Sequence, residues 1–203
     1  NVVDGAQFNL IFLGDSNTEA FTGTGVYNDS WAAKVSRSIT TPHNFLNLGV
    51  SSARIKYLAD TTLDGATIFS RDYPTGLTTV PTIVYVWLGT NDIKLDDKSA
   101  SQCWADLKVL AAAIGGLFTN CRIVICTILP RENNGTVESR RISLNTSIRG
   151  GDVSFFTHCD FGGNATLATD AASTLNSTYY SDGAHLTDAA HIILASIAQT
   201  PLL

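Results

Sequence analysis

The chain has 203 residues, 44% of them hydrophobic and only 15% charged, with three Trp and nine Phe. So much apolar side chain can be buried against the entropy of ordering the backbone, which excludes a disordered polymer and gives an expectation of one domain over residues 1–203. Thirteen basic residues stand against eighteen acidic ones, for a net charge of −5 without a Lys/Arg cluster, and no apolar run reaches the ~18 residues of a bilayer span, so nucleic-acid binding and membrane insertion are both excluded as readings.

Residues 9–13, Asn-Leu-Ile-Phe-Leu, have the length and apolar density of a buried strand, which Gly14-Asp15-Ser16 ends with turn chemistry. A Gly/Thr-rich loop follows over 21–28. Ser30 then stands as an N-cap before Trp31, Val35 and Ile39, apolar at every fourth position, a helix that Thr40-Thr41-Pro42 stops. Residues 45–48 read as a second short strand ending in Gly49, 51–60 as helical, and 61–81 as a turn-rich surface excursion. The run Ile-Val-Tyr-Val-Trp-Leu at 83–88 is the strongest strand, buried on both faces, and it ends in Gly89-Thr90-Asn91-Asp92. Between 100 and 118, Cys103, Trp104, Leu107, Leu110, Ala111, Ile114 and Phe118 follow the three-four spacing of an amphipathic helix. A fourth strand over 122–128, a loop, a helix over 137–148, a fifth strand over 153–156, a polar loop over 160–181 and a closing helix over 186–198 capped by Thr187 complete the chain. This alternation predicts an α/β protein, a parallel sheet of five strands covered by helices on both faces and joined by right-handed crossovers.

Parallel strands bring their C-terminal ends to one edge, where α/β proteins bind ligands. Ser16 follows strand one there, Gly49 ends strand two, Asn91 follows strand three, and Asp182 and His185 stand in the last loop before the closing helix. Hydrolytic acyl transfer needs a hydroxyl, a base, an acceptor that orients the base, and donors for an oxyanion. Ser16 supplies the hydroxyl. His185 is the base, since a free imidazole titrates at ~6.5, and Asp182 three residues earlier can fold back onto its second ring nitrogen, with Gly183 easing the bend. The N–H groups of Ser16 and Gly49 and the amide of Asn91 are the candidate oxyanion donors. Taken by itself Asp15-Ser16-Asn17 would be no more than a helix cap; the other blocks make it a site.

The blocks Gly14-Asp15-Ser16, Asn47-x-Gly49, Gly89-x-Asn91-Asp92 and Asp182-x-x-His185 together resemble the four signature blocks of the SGNH (GDSL) hydrolase family, in order and over nearly the whole chain. The resemblance implies a flavodoxin-like three-layer α/β/α fold, the Ser, Gly, Asn and His roles for Ser16, Gly49, Asn91 and His185, and hydrolysis without metal or cofactor. One departure is Ser51-Ser52, where a second glycine often stands in the family; a shifted loop there would misplace an oxyanion donor. The Gly-x-Ser-x-Gly elbow of the other large α/β hydrolase class is absent.

The remaining features read as structural. His43 and His158 lack an Asp three residues before them, His191 falls inside the closing helix, Gly23-Thr24-Gly25 lacks the strand and third glycine of a dinucleotide loop, Trp87 lies within a strand as a core residue, and Asp15 and Asp92 are turn and network acids. Cys103, Cys121, Cys126 and Cys159 show no metal spacing and can form disulfides or remain thiols. Five Asn-x-Ser/Thr sequons, at Asn28, Asn134, Asn145, Asn164 and Asn176, hint at secretion, and a start at Asn1 without Met or leader reads as a processed or trimmed segment. Short polar loops at 21–28 and 129–138 offer no trough for a fatty chain, so the expected substrate is a small ester or an acetylated carbohydrate. The alternatives are a lipase or thioesterase for longer chains, a glycan-binding module without turnover, and a flavodoxin-like nucleotide binder. Oligomeric state, and transfer to an alcohol instead of water, stay open.

Overall fold

The computed structural model describes residues 4–19, 29–59, 80–118, 120–131, 135–151, 156–167 and 176–200. The loop over 21–28, most of the excursion over 61–81 and positions 153–155 of the expected fifth strand lie outside them.

β1 (Phe8–Gly14), β2 (His43–Gly49), β3 (Thr82–Trp87), β4 (Cys121–Cys126) and β5 (Phe156–Cys159) form one sheet in the order β2-β1-β3-β4-β5, every neighbouring pair parallel. Helices cover both faces, the layering expected from the strand-helix alternation. α2 (Trp31–Ser38) packs against α7 (Asp188–Gln199), while α3 (Ile55–Ala59), α5 (Ala100–Leu117) and α6 (Gly135–Gly150) form a second group. Two short helices sit at the strand ends, α1 (Ser16–Glu19) and α4 (Thr90–Leu95).

The apolar runs become strands because both of their faces are covered. Leu10, Ile11, Phe12, Val84, Tyr85 and Val124 have no exposed surface. Phe12 stacks on Tyr85, and the edge of Trp31 meets Phe12, Tyr85, Trp87 and Phe161, an aromatic cluster that ties α2 to the sheet. Ser30 caps α2 by accepting from Ala33 N–H at 3.2 Å, and Ser99 and Gln102 make a capping box for α5.

Several boundaries move. β5 begins at Phe156, where the sequence places its end; this edge strand is mostly solvent-facing and carries no apolar alternation to mark its register. Among the described residues of 51–60, Ile55–Ala59 alone is helical. α7 starts at Asp188, since Leu186 instead pairs antiparallel with Tyr180, and the Thr187 hydroxyl donates to Thr178 O at 2.7 Å instead of capping the helix. The four cysteines are free thiols, and burial pushes Cys103 up to about 12 and Cys121 up to about 11, so neither is a reactive thiolate. Of the sequons, Asn145 is wholly buried.

Candidate active site

Ser16 is the first residue of α1, two residues beyond the end of a strand that is buried from Asn9 to Gly14. The turn is capped from within: Asp15 Oδ1 accepts Asn17 N–H at 3.0 Å, and Asp15 O accepts from Thr18 and Glu19. The N–H of Ser16 has no partner among the described residues. α1 lies so close to the sheet that a methyl at Gly14 would stand 2.0 Å from Thr18 Oγ1, and one at Gly49 would stand 2.3 Å from the backbone N of Glu19. These glycines are there to let α1 approach.

From the far end of the chain, His185 Nε2 reaches Ser16 Oγ at 3.1 Å, and His185 Nδ1 lies 2.7 Å from Asp182 Oδ2. The carboxylate beside Nδ1 fixes the tautomer: Nδ1 carries the proton and donates to Asp182, leaving Nε2 to accept from the serine hydroxyl. Asp182 Oδ1 also accepts the N–H groups of Ala184 and His185, both at 2.7 Å, closing the bend at Gly183. Partial burial works against the charge on Asp182, but the ring and backbone hydrogen bonds outweigh it and hold the carboxyl down at about 2. Asp15 behaves oppositely. Full burial pushes it up to about 6, against the pull of Asn17 N–H, Arg131 and His185.

Asn91 sits in the first turn of α4 and is buried, with Nδ2 donating to Ala53 O at 3.2 Å and Oδ1 accepting from Arg131 Nη1 at 2.8 Å. Gly49 departs from expectation as a donor. Its N–H is committed to Asn47 Oδ1 at 3.0 Å, and the same Asn47 holds Thr18 O at 2.8 Å, so this residue braces α1 and does not present an open N–H. The turn after β2 continues through Ser52, at φ 62, the left-handed conformation that glycine adopts freely. Serine thus follows a glycine's course there, and its N–H has no partner among the described residues.

Two positions escape the sequence reading. Asn17 spans the base: its Nδ2 donates to Ala184 O at 3.2 Å and its Oδ1 accepts Leu186 N–H at 3.1 Å, gripping the chain on both sides of His185. Arg131 reaches Asn91 across forty residues. An Asn directly after the serine was the one available signal for the first; the second left none. His43, held by Ser36 and Thr41 and stacked on Phe8, and His191, whose Nδ1 accepts Trp31 N–H, are structural. Trp87 lies in the core. Among the described residues no three His, Cys, Asp or Glu stand together as metal ligands, and no helix is long and apolar enough to cross a membrane.

The sequence matches the model of the GDSL-like lipase/acylhydrolase family over residues 12–193. No curated protein matches. Among solved structures, the chain is similar to an aryl esterase of M. smegmatis (TM-score 0.69, 18% identity, 97% of this chain and 99% of that one). It is similar to a Geobacillus acetyl-xylooligosaccharide esterase (0.68, 18%, 97% and 94%) and to a carbohydrate acetylesterase from Sinorhizobium meliloti (0.67, 15%, 96% and 98%). At these identities the structural likeness shows a shared fold.

Proposed function

This chain belongs to the GDSL-like lipase/acylhydrolase family and is a carboxylic ester hydrolase, and from that premise we propose that it works through a Ser16 acyl-enzyme on short, acetyl-type esters, O-acetyl groups of carbohydrates among them. The observation that carries the mechanism is the continuous contact from Asp182 through His185 to Ser16, made between residues 169 positions apart.

Ser16 Oγ attacks the ester carbonyl carbon while its proton passes to His185 Nε2. Asp182, ionised at any pH well above 2, stabilises the imidazolium that forms. The open N–H of Ser16 and the second Nδ2–H of Asn91 meet the charge on the carbonyl oxygen, and the third donor is the N–H of Ser52 in place of Gly49. Loss of one such donor costs ~10²- to 10³-fold in rate. His185 returns the proton to the leaving alcohol. Water then adds to the acyl carbon while the same nitrogen takes its proton, and that proton passes to Ser16 Oγ as the acyl–oxygen bond breaks and the acid leaves.

A short acyl group is supported by the similar folds, which include a carbohydrate acetylesterase and an acetyl-xylooligosaccharide esterase. Export belongs to the same proposal and rests on the sequons, of which Asn176 is exposed. Labelling with an organophosphate serine reagent should place the adduct on Ser16, and Ser16→Ala should lose ~10⁴-fold or more of the rate with the fold intact. Adduct elsewhere, or full hydrolysis by Ser16→Ala, would overturn the mechanism. A nitrophenyl ester series should fall from acetyl or butyryl onward; a maximum at decanoyl would replace the acetylesterase reading with a lipase or thioesterase.

A further inference from the structure

Arg131 has no part in the steps above, yet its guanidinium stands against the one side chain in the proposed oxyanion hole. Nη1 donates to Asn91 Oδ1 at 2.8 Å while Asn91 Nδ2 donates to Ala53 O at 3.2 Å. A cation on the oxygen and a carbonyl on one amide hydrogen leave no freedom to flip, because the reversed amide would set its NH₂ against the guanidinium and its oxygen against Ala53 O. The second Nδ2–H is left with one direction.

Arg131 is itself held by a costly arrangement. Three residues earlier, Ile128 N–H donates to Asn145 Oδ1 at 2.8 Å, and Ile128 O accepts from Asn145 Nδ2 at 2.9 Å and from Arg141 Nη1 at 3.1 Å. Asn145 is wholly buried and Arg141 is 2% exposed, with its guanidinium neutralised by Glu138 through two bonds of 2.8 and 2.6 Å. Burying a guanidinium and an amide is unfavourable unless every group is met, and here α6 spends both on the turn that delivers Arg131. Arg131 also shares the cavity of about 20 Å³ with Asp15 and Asn17, and its Nε is buried there without a partner, so its charge faces the nucleophile's own turn.

We propose that Arg131 is a positioning residue of the oxyanion hole, orienting the Asn91 amide and polarising it so that Nδ2–H is both aimed at the ester oxygen and strengthened as charge develops there. A charge-assisted bond on Oδ1 draws density from the amide nitrogen, and each bond in such a chain gains ~10–30% from its neighbour. The effect belongs to the transition state, where the oxygen carries charge, and so falls on kcat. This rests on the reading of Asn91 as an oxyanion donor.

The test is a double-mutant cycle with nitrophenyl acetate on Arg131→Gln, Asn91→Ala and the pair, with Ser16→Ala alongside. Arg131→Gln should lower kcat by ~10- to 10²-fold with KM within about threefold, and should cost less than about twofold once Asn91 is alanine. Arg131→Lys keeps the charge without the planar fork and should lose less, again only while Asn91 is present; it reads the same coupling should the glutamine variant fail to fold. Equal losses in both backgrounds, or a loss confined to KM, would overturn the role of Arg131 while leaving the Ser16 mechanism standing. Hydrolysis by Ser16→Ala, or a full rate from Asn91→Ala, would overturn that mechanism and this proposal together.

Discussion

The proposed nucleophile and its proposed base are held in place by opposite means. Ser16 is 7% exposed and begins a helix pressed onto β1 and β2, whose glycines permit an approach that no other residue allows. The segment carrying His185 lies at the surface, where the Asp182 side chain is 54% exposed and the imidazole 22%. It is placed by a handful of hydrogen bonds: two N–H groups to Asp182, the Tyr180–Leu186 bridge, and the grip of Asn17. Packing fixes the serine as part of the core, so disturbing it costs the fold. The base rests on bonds each worth a net ~0.5–1.5 kcal/mol, so disturbing it costs the rate first.

The largest test of that contrast is Gly49→Ala. The added methyl would lie 2.3 Å from Glu19 N and 2.7 Å from Thr18 C, both backbone atoms, so α1 must be displaced and Ser16 with it. We expect a loss of ~3 kcal/mol in stability together with a collapse of kcat, read by urea unfolding and by ester hydrolysis. Retention of both would show that the serine is not fixed by packing. Asn17→Ala should separate the two quantities: kcat falls ~10- to 10²-fold as His185 drifts, while stability changes by only ~1 kcal/mol. A loss of stability as large as that of Gly49→Ala would erase the distinction between the regions.

The sheet was legible because its evidence is local and periodic: residues 9–13 and 83–88 announce themselves as strands buried on both faces, and Trp31 to Ile39 as a helix. The meeting of Ser16, Asp182 and His185, and the place of Asn91 after β3, were legible because each residue follows a strand or precedes the closing helix, and parallel topology then brings them to one edge. Gly49 was located, and its N–H is taken up by Asn47 Oδ1. A glycine at a strand end looks the same whether it offers an N–H or admits a neighbour, and only α1 lying across β2 distinguishes them. Asn17 and Arg131 were illegible for a related reason: one polar side chain in a turn becomes significant through a partner 167 or 40 positions away, and no pattern along the chain encodes that pairing.

The two carboxyls nearest the pair carry the same contrast into pH dependence, as the smallest of the effects. Asp182, pulled down to about 2, adds stability that is present above the unfolded value of 3.8 and is lost as pH falls toward 2. Asp15, raised to about 6 in its buried turn, binds its proton more tightly folded than unfolded, so its contribution is full below 3.8 and is lost as pH rises through 6. Over part of that window His191 acts with the other sign. Burial lowers it to about 4 from 6.5, the unfolded chain therefore binds the extra proton between those values, and stability rises with pH. Between pH 4 and 6 the contributions of Asp15 and His191 to wild-type stability therefore oppose one another. Asp15→Asn keeps the acceptor for Asn17 N–H but removes the titration, and should leave the His191 slope exposed, so that the urea midpoint climbs more steeply from pH 4 to 6 than in wild type. Asp182→Asn should lower the curve evenly above about pH 4 and change its slope only below that. If Asp15→Asn merely shifts the whole curve without altering its slope, the buried carboxyl is not what sets the pH response of the nucleophile's half.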